Sequence, residues 1–534
     1  MTPLLSKSKY LNGLQCLKLL WISANKKELL PEIDEATQYR FDEGQNVGEL
    51  AKTLFPKGID LTDEDFGRNL EKTQEAMIND IENKGKRRAL FEAAFKIPFN
   101  NGELYARADI LVPVGKDEWE VIEVKSATQT KDVNIQDVSF QLFVYERAGL
   151  KIRKCFVMHL NNEYVRKGEI KAKKLFIKED VTDQVVKNIV CGAEPPKIRP
   201  GQNLISYTLK LVKMTENSMD KRIEEMFKIL SQKNIPIVKI GPYCTEPYAC
   251  PLYDFCWKEI PDNSVFDLYR IRKTEAFELF EKGIISISEV PETYKLNEKQ
   301  AIQKKCFLSG KECIDKDAIR NFLKDIKYPA YFMDFETYQT AIPLYNGLKP
   351  YQQVPFQFSV HIVDKKGKIK HISYIAQGDG DPRKEFAKNL KKTLGKNGTI
   401  IAFNQSFEQG RLKETANFMP KYSKWVESVN KRMIDLLVPF RNFYYYNPKQ
   451  HGSASIKAVL PALTGKSYED IAIHGGASAS VLYFYATHGR KYGLKPTQQE
   501  VDKIIRNLEE YCGLDTEGMI WIVDRLREIV SEKV

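Results

Sequence analysis

The chain has 534 residues, of which 43% are hydrophobic and 29% charged, and its formal net charge is +11 at pH 7. This length exceeds what one hydrophobic core usually serves, and the composition excludes an intrinsically disordered chain. Nine cysteines are too few for a disulfide scaffold, and the sequence holds no apolar run of membrane-spanning length. We therefore expect a cytoplasmic protein of two domains without membrane contact, whose positive charge favours a polyanionic partner.

Helical periodicity covers residues 1–60 and 68–84, and a series of short strands begins with Leu90–Phe99. Residues 104–112 and 119–125 are two further strand patterns separated by a turn that contains glycine, which predicts a β-hairpin. The first part of the chain is therefore predicted to be a mixed α/β domain.

Three residues on this hairpin are suited to hydrolytic chemistry. Glu123 and Lys125 are two positions apart and share one face of their strand, and Asp109 lies on the neighbouring strand. Metal-assisted phosphodiester hydrolysis needs carboxylates that hold Mg²⁺ or Mn²⁺ and a lysine that orients the nucleophile and stabilises developing charge. The alternative is a solvated hairpin with charges on its outer face.

The helix after the hairpin carries Gln141 and Tyr145, which are four residues apart and therefore lie on one face. Basic stretches follow at residues 166–174 and at Lys221 and Arg222. Such charge is usually a solvated surface, but beside a nuclease site it is compatible with tracking a phosphate backbone.

A loop with regular cysteine spacing contains Cys244, Cys250 and Cys256, and two prolines prevent it from being one helix. Three thiolates are an incomplete set for an iron–sulfur cluster or a structural zinc, which usually take four protein ligands. Cys16 is the expected fourth ligand. Zinc loops favour tighter cysteine pairs, which favours a [4Fe–4S] cluster here. Buried or loose thiols without a metal are the alternative.

Together these motifs resemble the PD-(D/E)xK nuclease superfamily, in particular its RecB-like branch with a four-cysteine iron–sulfur clasp. The CRISPR-associated adaptation exonucleases and the AddB-type repair nucleases belong to this branch. The resemblance covers residues 1–260 and implies a restriction-endonuclease-like fold. The residues that it assigns to catalysis are Asp109, Glu123, Lys125, Gln141 and Tyr145, and those that it assigns to the cluster are Cys16, Cys244, Cys250 and Cys256.

The sequence departs from these relatives in two places. They usually have a metal-binding histidine on an early helix after a glycine, where this chain has Gly48 followed by Glu49, and we expect Glu49 to substitute as a metal ligand. The gap between Cys244 and Cys250 is also longer than the two residues common in those relatives. The first departure bears on metal stoichiometry and the second on cluster type.

Residues 261–327 have a helical pattern without a chemical motif, and we expect them to connect two domains. A second α/β unit begins with Tyr331-Phe-Met-Asp-Phe-Glu-Thr-Tyr, in which Asp334 and Glu336 share one face of a strand. An isolated pair of this kind is common. Whether this pair predicts a metal site depends on the acids that follow it in the chain.

Two further segments supply those acids. A strand at 399–403 leads into a helix that carries Glu408, and a late helix carries Tyr511 and Asp515 one turn apart, although Gly513 weakens that helix. Four acids from separate elements and one tyrosine suit a two-metal nuclease site, in which the phenol orients the nucleophile. The alternative is surface charge.

This arrangement resembles the DnaQ-like (DEDD) 3′–5′ exonucleases of the ribonuclease H fold, in the subtype with tyrosine in the last motif. The resemblance covers residues 328–534. It implies that the metal ligands are Asp334, Glu336, Glu408 and Asp515, and that Tyr511 orients the attacking water. Glu408 stands where those enzymes normally have aspartate, and its longer side chain would shift the second metal. The whole chain also resembles an uncharacterised bacterial family that fuses the two modules.

Two features lie between the motifs of the second unit. Residues 441–457 interleave aromatics with cations, as single-strand stacking surfaces do, and Gly475-Gly-Ala-Ser-Ala-Ser is expected to be a flexible loop that gates the site. Asp435 is interpreted as a structural acid behind the metal ligands. His451 is interpreted as a loop histidine rather than a ligand.

We therefore expect an α/β chain with two nuclease domains, at 1–260 and 328–534, joined by a helical connector at 261–327. The expected activity is Mg²⁺- or Mn²⁺-dependent exonucleolytic processing of DNA ends, preferably single-stranded, in repair, recombination or defence. Two alternatives stay open. One is a nucleic-acid-binding iron–sulfur scaffold with one or both sites inactive, and the other is an RNA-processing exonuclease, since a metal site does not read the 2′-hydroxyl.

Overall fold

The chain is a mixed α/β protein, as its sequence predicts. None of the described helices is both long enough and apolar enough to cross a membrane. Residues 191–217, which the predicted first domain includes, lie outside the described residues. The computed structural model describes residues 2–82, 87–190, 218–468, 471–473 and 475–532.

The chain divides into two compact units. The first comprises Met1–Trp257 together with Ala341–Tyr351, and the second comprises Lys258–Thr340 and Gln352–Val534. Residues 261–327, predicted as a connector, lie in the second unit. The return of a short later segment to the first unit has no counterpart in the predicted division.

The first unit begins with helices and continues with a sheet. Its elements are β1 (Leu4–Ser6), α1 (Lys7–Gln15), α2 (Leu17–Asn25), α3 (Glu35–Lys52), β2 (Ile59–Asp60), α4 (Phe66–Glu82), β3 (Leu90–Phe99), β4 (Gly102–Val114), β5 (Glu118–Lys125), α5 (Asp132–Arg147), β6 (Lys151–Leu160), α6 (Ala172–Leu175), β7 (Phe176–Asp180), α7 (Thr182–Ile189), α8 (Met219–Leu230) and α9 (Tyr253–Trp257).

The sheet of this unit has the order β2-β3-β4-β5-β6-β7, with β1 paired in parallel to β4. Strands β3, β4 and β5 are antiparallel, which confirms the predicted hairpin, and β6 joins β5 in parallel after helix α5. Both faces of β5 are covered, because Val121 packs in one core with Phe140 of α5 while the next residue, Ile122, packs in another with Val47 of α3.

The segment Ala341–Tyr351 is held in the first unit by polar contacts. The backbone N–H of Ala341 donates to the buried carboxylate of Glu43. The guanidinium of Arg166 donates to two carbonyl oxygens of the segment, at 2.8 and 2.7 Å, and the hydroxyl of Tyr351 donates to the carbonyl of Ser126. Burial raises the pKa of Glu43 to about 7.

The second unit mixes short helices with a five-stranded sheet and ends in one long helix. Its elements are α10 (Lys273–Glu281), α11 (Glu298–Ser309), β8 (Cys313–Ile314), α12 (Lys316–Lys324), β9 (Ala330–Tyr338), β10 (Val354–Val363), β11 (Ile369–Ile375), α13 (Arg383–Thr393), β12 (Thr399–Ala402), α14 (Ser406–Phe418), α15 (Ser423–Lys431), β13 (Met433–Asp435), α16 (Val438–Arg441), β14 (Tyr445–Tyr446), α17 (Ile456–Thr464), α18 (Gly476–His488) and α19 (Gln498–Ser531).

The larger sheet has the order β11-β10-β9-β12-β13, and β8 pairs separately with β14. Strands β9, β10 and β11 are antiparallel, whereas β12 is parallel to both β9 and β13. The central strand β9 is covered on both faces. Tyr331 and Met333 pack with Phe386 of α13, while Phe332 packs with Val523 of α19. Even-numbered residues of β9 therefore face the C-terminal helix.

The buried carboxyl of Glu146 on α5 gives a test of the packing of the first unit. One of its oxygens is buried without a hydrogen-bond partner among the described residues, and burial raises its pKa to about 9 from an ordinary 4.5. Because the folded pKa exceeds the unfolded one, the folded chain binds the extra proton, and its stability falls as the pH rises from 4.5 towards 9.

We expect Glu146→Gln to raise the free energy of unfolding by about 1–3 kcal/mol at pH 8, because glutamine has no proton to lose. Most of this gain should be absent at pH 5. Urea denaturation at the two pH values measures it. Glu225→Gln, on the exposed face of α8, is the matched control and should change stability by less than about 0.5 kcal/mol at either pH.

Candidate functional site

The predicted acid and lysine of strand β5 are in direct contact in the first unit. The ammonium of Lys125 lies 2.6 Å from an oxygen of Glu123 and 2.6 Å from an oxygen of Asp137. Lys7, the first residue of α1, donates to the same Glu123 oxygen at 2.8 Å. The Glu123 side chain is 1% exposed, so two ammonium groups meet one buried carboxylate.

Asp109 of strand β4 joins this group through the backbone of β5. One of its carboxylate oxygens accepts a hydrogen bond of 2.7 Å from the N–H of Val124, between the two motif residues. Burial and the charge of Asp109 raise the pKa of Glu123, but Lys125 and Lys7 outweigh them and hold that pKa below its ordinary value. The site therefore keeps Glu123 ionised.

Helix α5 supplies the remaining predicted residues. The amide of Gln141 donates to Glu123 at 2.6 Å and to Asp137 at 3.1 Å. The hydroxyl of Tyr145 donates to the carbonyl oxygen of Gln141 at 3.2 Å. Tyr145 and Gln141 are fully buried, so the helix holds the acid of β5 in one orientation through a chain of hydrogen bonds.

Three polar residues of this site were not predicted from the sequence. Asp137 lies one helical turn before Gln141, a spacing that could have indicated it. Lys7 and Glu92 carry no local signal. Glu92 has φ +59° at an irregular point of β3, where the pairing passes from Phe91–Ile110 to Ala93–Ala108 and skips Asp109.

Glu92 is electrostatically coupled to the predicted acids. Burial and then Asp109 raise its pKa to about 7, and the guanidinium of Arg107 lies 2.8 Å from its carboxylate. Glu49, the predicted substitute metal ligand, is an exposed residue of α3. Its carboxylate is 58% exposed and pairs with Lys52 at 2.7 Å.

The four predicted cluster cysteines come together in the first unit. Cys250 is buried in a small core against which Cys16 and Cys256 pack. The backbone N–H of Cys250 donates to the carbonyl of Cys244 at 2.9 Å. Burial and the charges of the other three thiols together raise the pKa of Cys250 to about 11, because a second negative charge nearby is unfavourable. The four thiols are therefore close enough to act on one another electrostatically.

Two side chains from α1 and α2 fix this loop. The amide of Gln15 donates to the carbonyl of Tyr243 at 2.9 Å and to that of Tyr248 at 2.8 Å. The ammonium of Lys18 lies 3.8 Å from the sulfur of Cys256.

Asp334 and Glu336 lie on the even-numbered face of β9 in the second unit, between the buried Phe332 and Tyr338. One oxygen from each, together with the sulfur of Cys512, forms a group in which all ligand atoms lie within 4.8 Å of one another. Helix α19 is continuous across Gly513, so Tyr511 and Asp515 share its buried face as predicted. Asp515 accepts a hydrogen bond of 2.6 Å from the hydroxyl of Tyr468.

Glu408 lies in the first turn of α14, with a side chain that is 2% exposed. One of its carboxylate oxygens has no hydrogen-bond partner among the described residues. Behind it, Asp435 accepts hydrogen bonds from the N–H groups of Asn404 at 2.9 Å and Leu437 at 3.0 Å, which fixes the chain before α14. This agrees with the structural role predicted for Asp435.

The acids of the second unit crowd like charges into a buried space. Burial and the neighbouring carboxylates hold the pKa of Asp334 well above its ordinary range. Burial and then Asp515 raise the pKa of Glu336 to about 8, and burial raises those of Glu408 to about 8 and Asp515 to about 6. Such a cluster needs positive charge, from protons or from cations, and carboxylate oxygens are the ligands that Mg²⁺ and Mn²⁺ prefer.

Two predictions for this unit are wrong. The aromatics at Phe443, Tyr445 and Tyr446 are at most 4% exposed and pack in the core, so they form no stacking surface for bases. The glycine-rich segment is the start of helix α18 rather than a loop, and a Cβ at Gly476 would lie 3.7 Å from an oxygen of Glu336. This is an ordinary van der Waals separation, so the start of α18 lies against Glu336.

Two other residues of the segment at 441–457 are accounted for. His451 adopts φ +47° in a turn, and its ring nitrogen lies 3.2 Å from the amide of Asn263, which agrees with a loop histidine. The ammonium of Lys457 lies 5.5 Å from the ring centre of Tyr468 and 5.2 Å from that of Tyr511. Its charge lowers the pKa of Glu336 and Asp515 against the stronger effect of burial.

Residues 331–455 match a family model described as "Domain of unknown function (DUF2779)". The chain is similar to an uncharacterised protein of Mycoplasma pneumoniae, with 22% identity over 535 residues, covering 82% of this chain and 79% of that relative. It is also similar to an uncharacterised protein of Ureaplasma parvum, with 25% identity over 229 residues, covering 39% of this chain and 32% of that relative. The chain thus matches about a third of the length of the Ureaplasma relative.

Lys7 provides a test of the first site. Removing one of two ammonium groups from the buried Glu123 carboxylate should lower the free energy of unfolding by about 1–3 kcal/mol in Lys7→Met, measured by urea denaturation with EDTA present. Lys9→Met is the control, because Lys9 lies on the same helix and donates to the backbone carbonyl of Leu4 instead. Equal losses in both variants would contradict a specific role for Lys7.

Proposed function

We propose that this chain is a Mg²⁺- or Mn²⁺-dependent nuclease with two active sites, which shortens DNA from single-stranded ends in the cytoplasm during repair, recombination or defence. The observation that carries the proposal is the unpartnered oxygen of Glu408. The Glu408 carboxylate is 2% exposed and faces other acids, and an oxygen that is buried there without a partner among the described residues is costly unless a proton or a cation binds it.

The strand order of the second unit supports the ribonuclease H-like fold that the DnaQ-like resemblance implies. Numbered along the chain, the five strands of the larger sheet lie in the order 3-2-1-4-5. Strands β9, β10 and β11 are antiparallel, and β12 and β13 continue the sheet in parallel from β9. This supports assigning Asp334, Glu336, Glu408 and Asp515 as metal ligands. A bound Mg²⁺ or Mn²⁺ would neutralise phosphate charge and lower the pKa of water.

Three further side chains of the second site would orient the attacking water, hold a metal ligand and attract the phosphate. The raised pKa of Tyr511 keeps its phenol protonated, so it can donate a hydrogen bond to the attacking water and orient it. Tyr468 holds Asp515 in one rotamer through its 2.6 Å hydrogen bond. Lys457, beside both rings, supplies a positive charge that a phosphate oxygen can approach.

The first unit supports a PD-(D/E)xK assignment. A helix, three antiparallel strands, a helix and a parallel strand follow one another, and the motif residues lie where the hairpin and α5 meet. Asp109 and Glu123 are the proposed metal ligands. Lys125 would stabilise charge that develops on the phosphate, and Gln141 with Tyr145 orients Glu123.

One observation favours an alternative for this unit alone. Both oxygens of Glu123 already have partners, since Lys7 and Lys125 contact one and Gln141 the other. A metal ion has to displace an ammonium group from it. A first unit that binds nucleic acid without cutting is therefore the second candidate function, with cleavage confined to the second unit.

Cleavage of 5′- and 3′-labelled DNA and RNA strands in Mg²⁺ and Mn²⁺ tests the proposal. We expect Asp334→Asn/Glu336→Gln to reduce one activity by about 100-fold or more, because it removes two ligand charges. Glu123→Gln/Lys125→Met should reduce a separate activity if the first site cuts. The control is Asp317→Asn/Glu385→Gln, which makes the same charge change at exposed positions of the second unit.

The outcomes of this assay separate the candidates. Loss of activity in the second-site variant alone supports the binding role for the first unit. Cleavage of RNA but not DNA supports the RNA-processing alternative. Intact strands after incubation with the wild-type protein, despite tight binding of DNA, contradict the nuclease proposal and favour the scaffold.

The [4Fe–4S] cluster proposed at Cys16, Cys244, Cys250 and Cys256 has its own test. Protein purified without oxygen should contain iron and sulfide, with the broad visible absorption of a cluster, and Cys250→Ser should lose all three. Cys306→Ser, at a buried thiol of the second unit, should keep them. Zinc in place of iron would contradict the cluster but not the four-thiolate clasp.

A further inference from the structure

Cys512 introduces a sulfur atom into the acidic site of the second unit. It follows Tyr511 on helix α19 and its side chain is fully buried. Its sulfur lies 3.7 Å from a carboxylate oxygen of Asp334 and 3.9 Å from the backbone oxygen of the same residue. With one oxygen of Glu336 added, all three ligand atoms lie within 4.8 Å of one another, so one ion can contact all of them.

A buried cysteine is more often a small apolar side chain than a ligand. That explanation suits a thiol among aliphatic groups, whereas the charges acting on Cys512 are those of Asp334, Glu336 and Asp515. Glu408 gives an independent sign of a cation, because its buried oxygen is without a hydrogen-bond partner among the described residues and its charge acts on Asp334 and Glu336.

We infer that Asp334, Glu336 and Cys512 bind a borderline-soft divalent cation, such as Zn²⁺ or Co²⁺, in preference to Mg²⁺. This inference rests on the proposed function for the location of the metal site. It goes beyond that function in naming a sulfur ligand and the class of cation that the sulfur selects.

The preference follows from the ligand atoms. Thiolate sulfur favours Zn²⁺ and other late transition metals, whereas Mg²⁺ requires a nearly octahedral set of oxygen ligands. Zn²⁺ accepts two carboxylate oxygens and one thiolate and leaves a fourth position for water or substrate. When the metal–sulfur bond forms, the S–H bond breaks, its electron pair stays on sulfur and the proton leaves to solvent.

The sulfur ligand also affects how Zn²⁺ acts on cleavage. Zn²⁺ at this position occupies the same two carboxylates that the proposed nuclease needs for Mg²⁺ or Mn²⁺. Zn²⁺ should therefore inhibit the second site. Cys512→Ser should raise the Zn²⁺ concentration needed for half inhibition by about 10-fold or more, because it removes the soft ligand.

Cobalt absorption provides a readout independent of cleavage. A thiolate bound to Co²⁺ produces an intense near-ultraviolet charge-transfer band that oxygen ligands lack. Wild type, Cys512→Ser and Cys306→Ser are titrated with Co²⁺, and the thiols of the first unit contribute equally to all three spectra. When the Cys512→Ser spectrum is subtracted from the wild-type spectrum, we expect one such band, which saturates at one Co²⁺ ion per chain. Subtracting the Cys306→Ser spectrum should leave no band.

Competition for bound Mn²⁺, followed by electron paramagnetic resonance, is the second readout. Zn²⁺ should displace Mn²⁺ from wild type at about 10- to 100-fold lower concentration than from Cys512→Ser, while Mg²⁺ shows no such difference. Cys512→Ala, with an unfolding midpoint matched to wild type, replaces the serine variant if that variant does not fold.

The outcomes separate this inference from the proposed function. A featureless difference spectrum together with equal Zn²⁺ competition overturns the inference, even if the protein cuts DNA. A charge-transfer band in a protein that cuts no nucleic acid supports the cation class and contradicts the nuclease proposal. A band that survives in Cys512→Ser but disappears in Cys306→Ser also overturns the inference, because the ligand is then a different sulfur.

Discussion

The placement of the acids in the second site depends on how side chains alternate between the two faces of strand β9. Strand β9 is buried on both faces, so its odd-numbered residues from Tyr331 to Phe335 fill one core and Phe332 fills the other. Asp334 and Glu336 follow Phe332 on the second face, before the buried Tyr338, and meet helix α19. A slip of one residue in the pairing of β9 would turn both acids into an apolar core. The register against β10 and β12 therefore fixes fold and chemistry together.

The two acidic groups handle their charge in opposite ways. In the first unit, Lys7 and Lys125 neutralise Glu123, and its pKa is lowered in spite of burial. In the second, the acids face one another, Lys457 offsets only part of their repulsion, and the pKa values of Asp334 and Glu336 rise. In the first group the lysines already balance the charge of Glu123, whereas the second group needs protons or cations to balance its charge. Even if both sites perform the same chemistry, a metal ion should affect the two groups to different extents.

Sequence reasoning succeeded where local geometry determines the result. The alternation at Glu123 and Lys125 and the helical spacing of Tyr511 and Asp515 follow from the strand and helix repeats. Lys7 had no signal, because it meets Glu123 across 116 residues of sequence. Composition also misled: aromatics mixed with cations suit both a base-stacking surface and a packed core, and only tertiary contacts decide between them. Glycine and serine likewise suit either a flexible loop or the start of a helix, and here they begin helix α18 beside Glu336.

The segment Ala341–Tyr351 follows strand β9 directly in the chain yet belongs to the first unit. A break after Trp257 would therefore separate Glu43 from the backbone N–H that it accepts, and Arg166 from the two carbonyls that its guanidinium binds. Gene fission at that boundary would leave one product with an unsatisfied buried carboxylate and the other with an unfolded insertion. Residues 1–257 alone therefore lack part of the first unit, because its last segment lies beyond Thr340 in the chain.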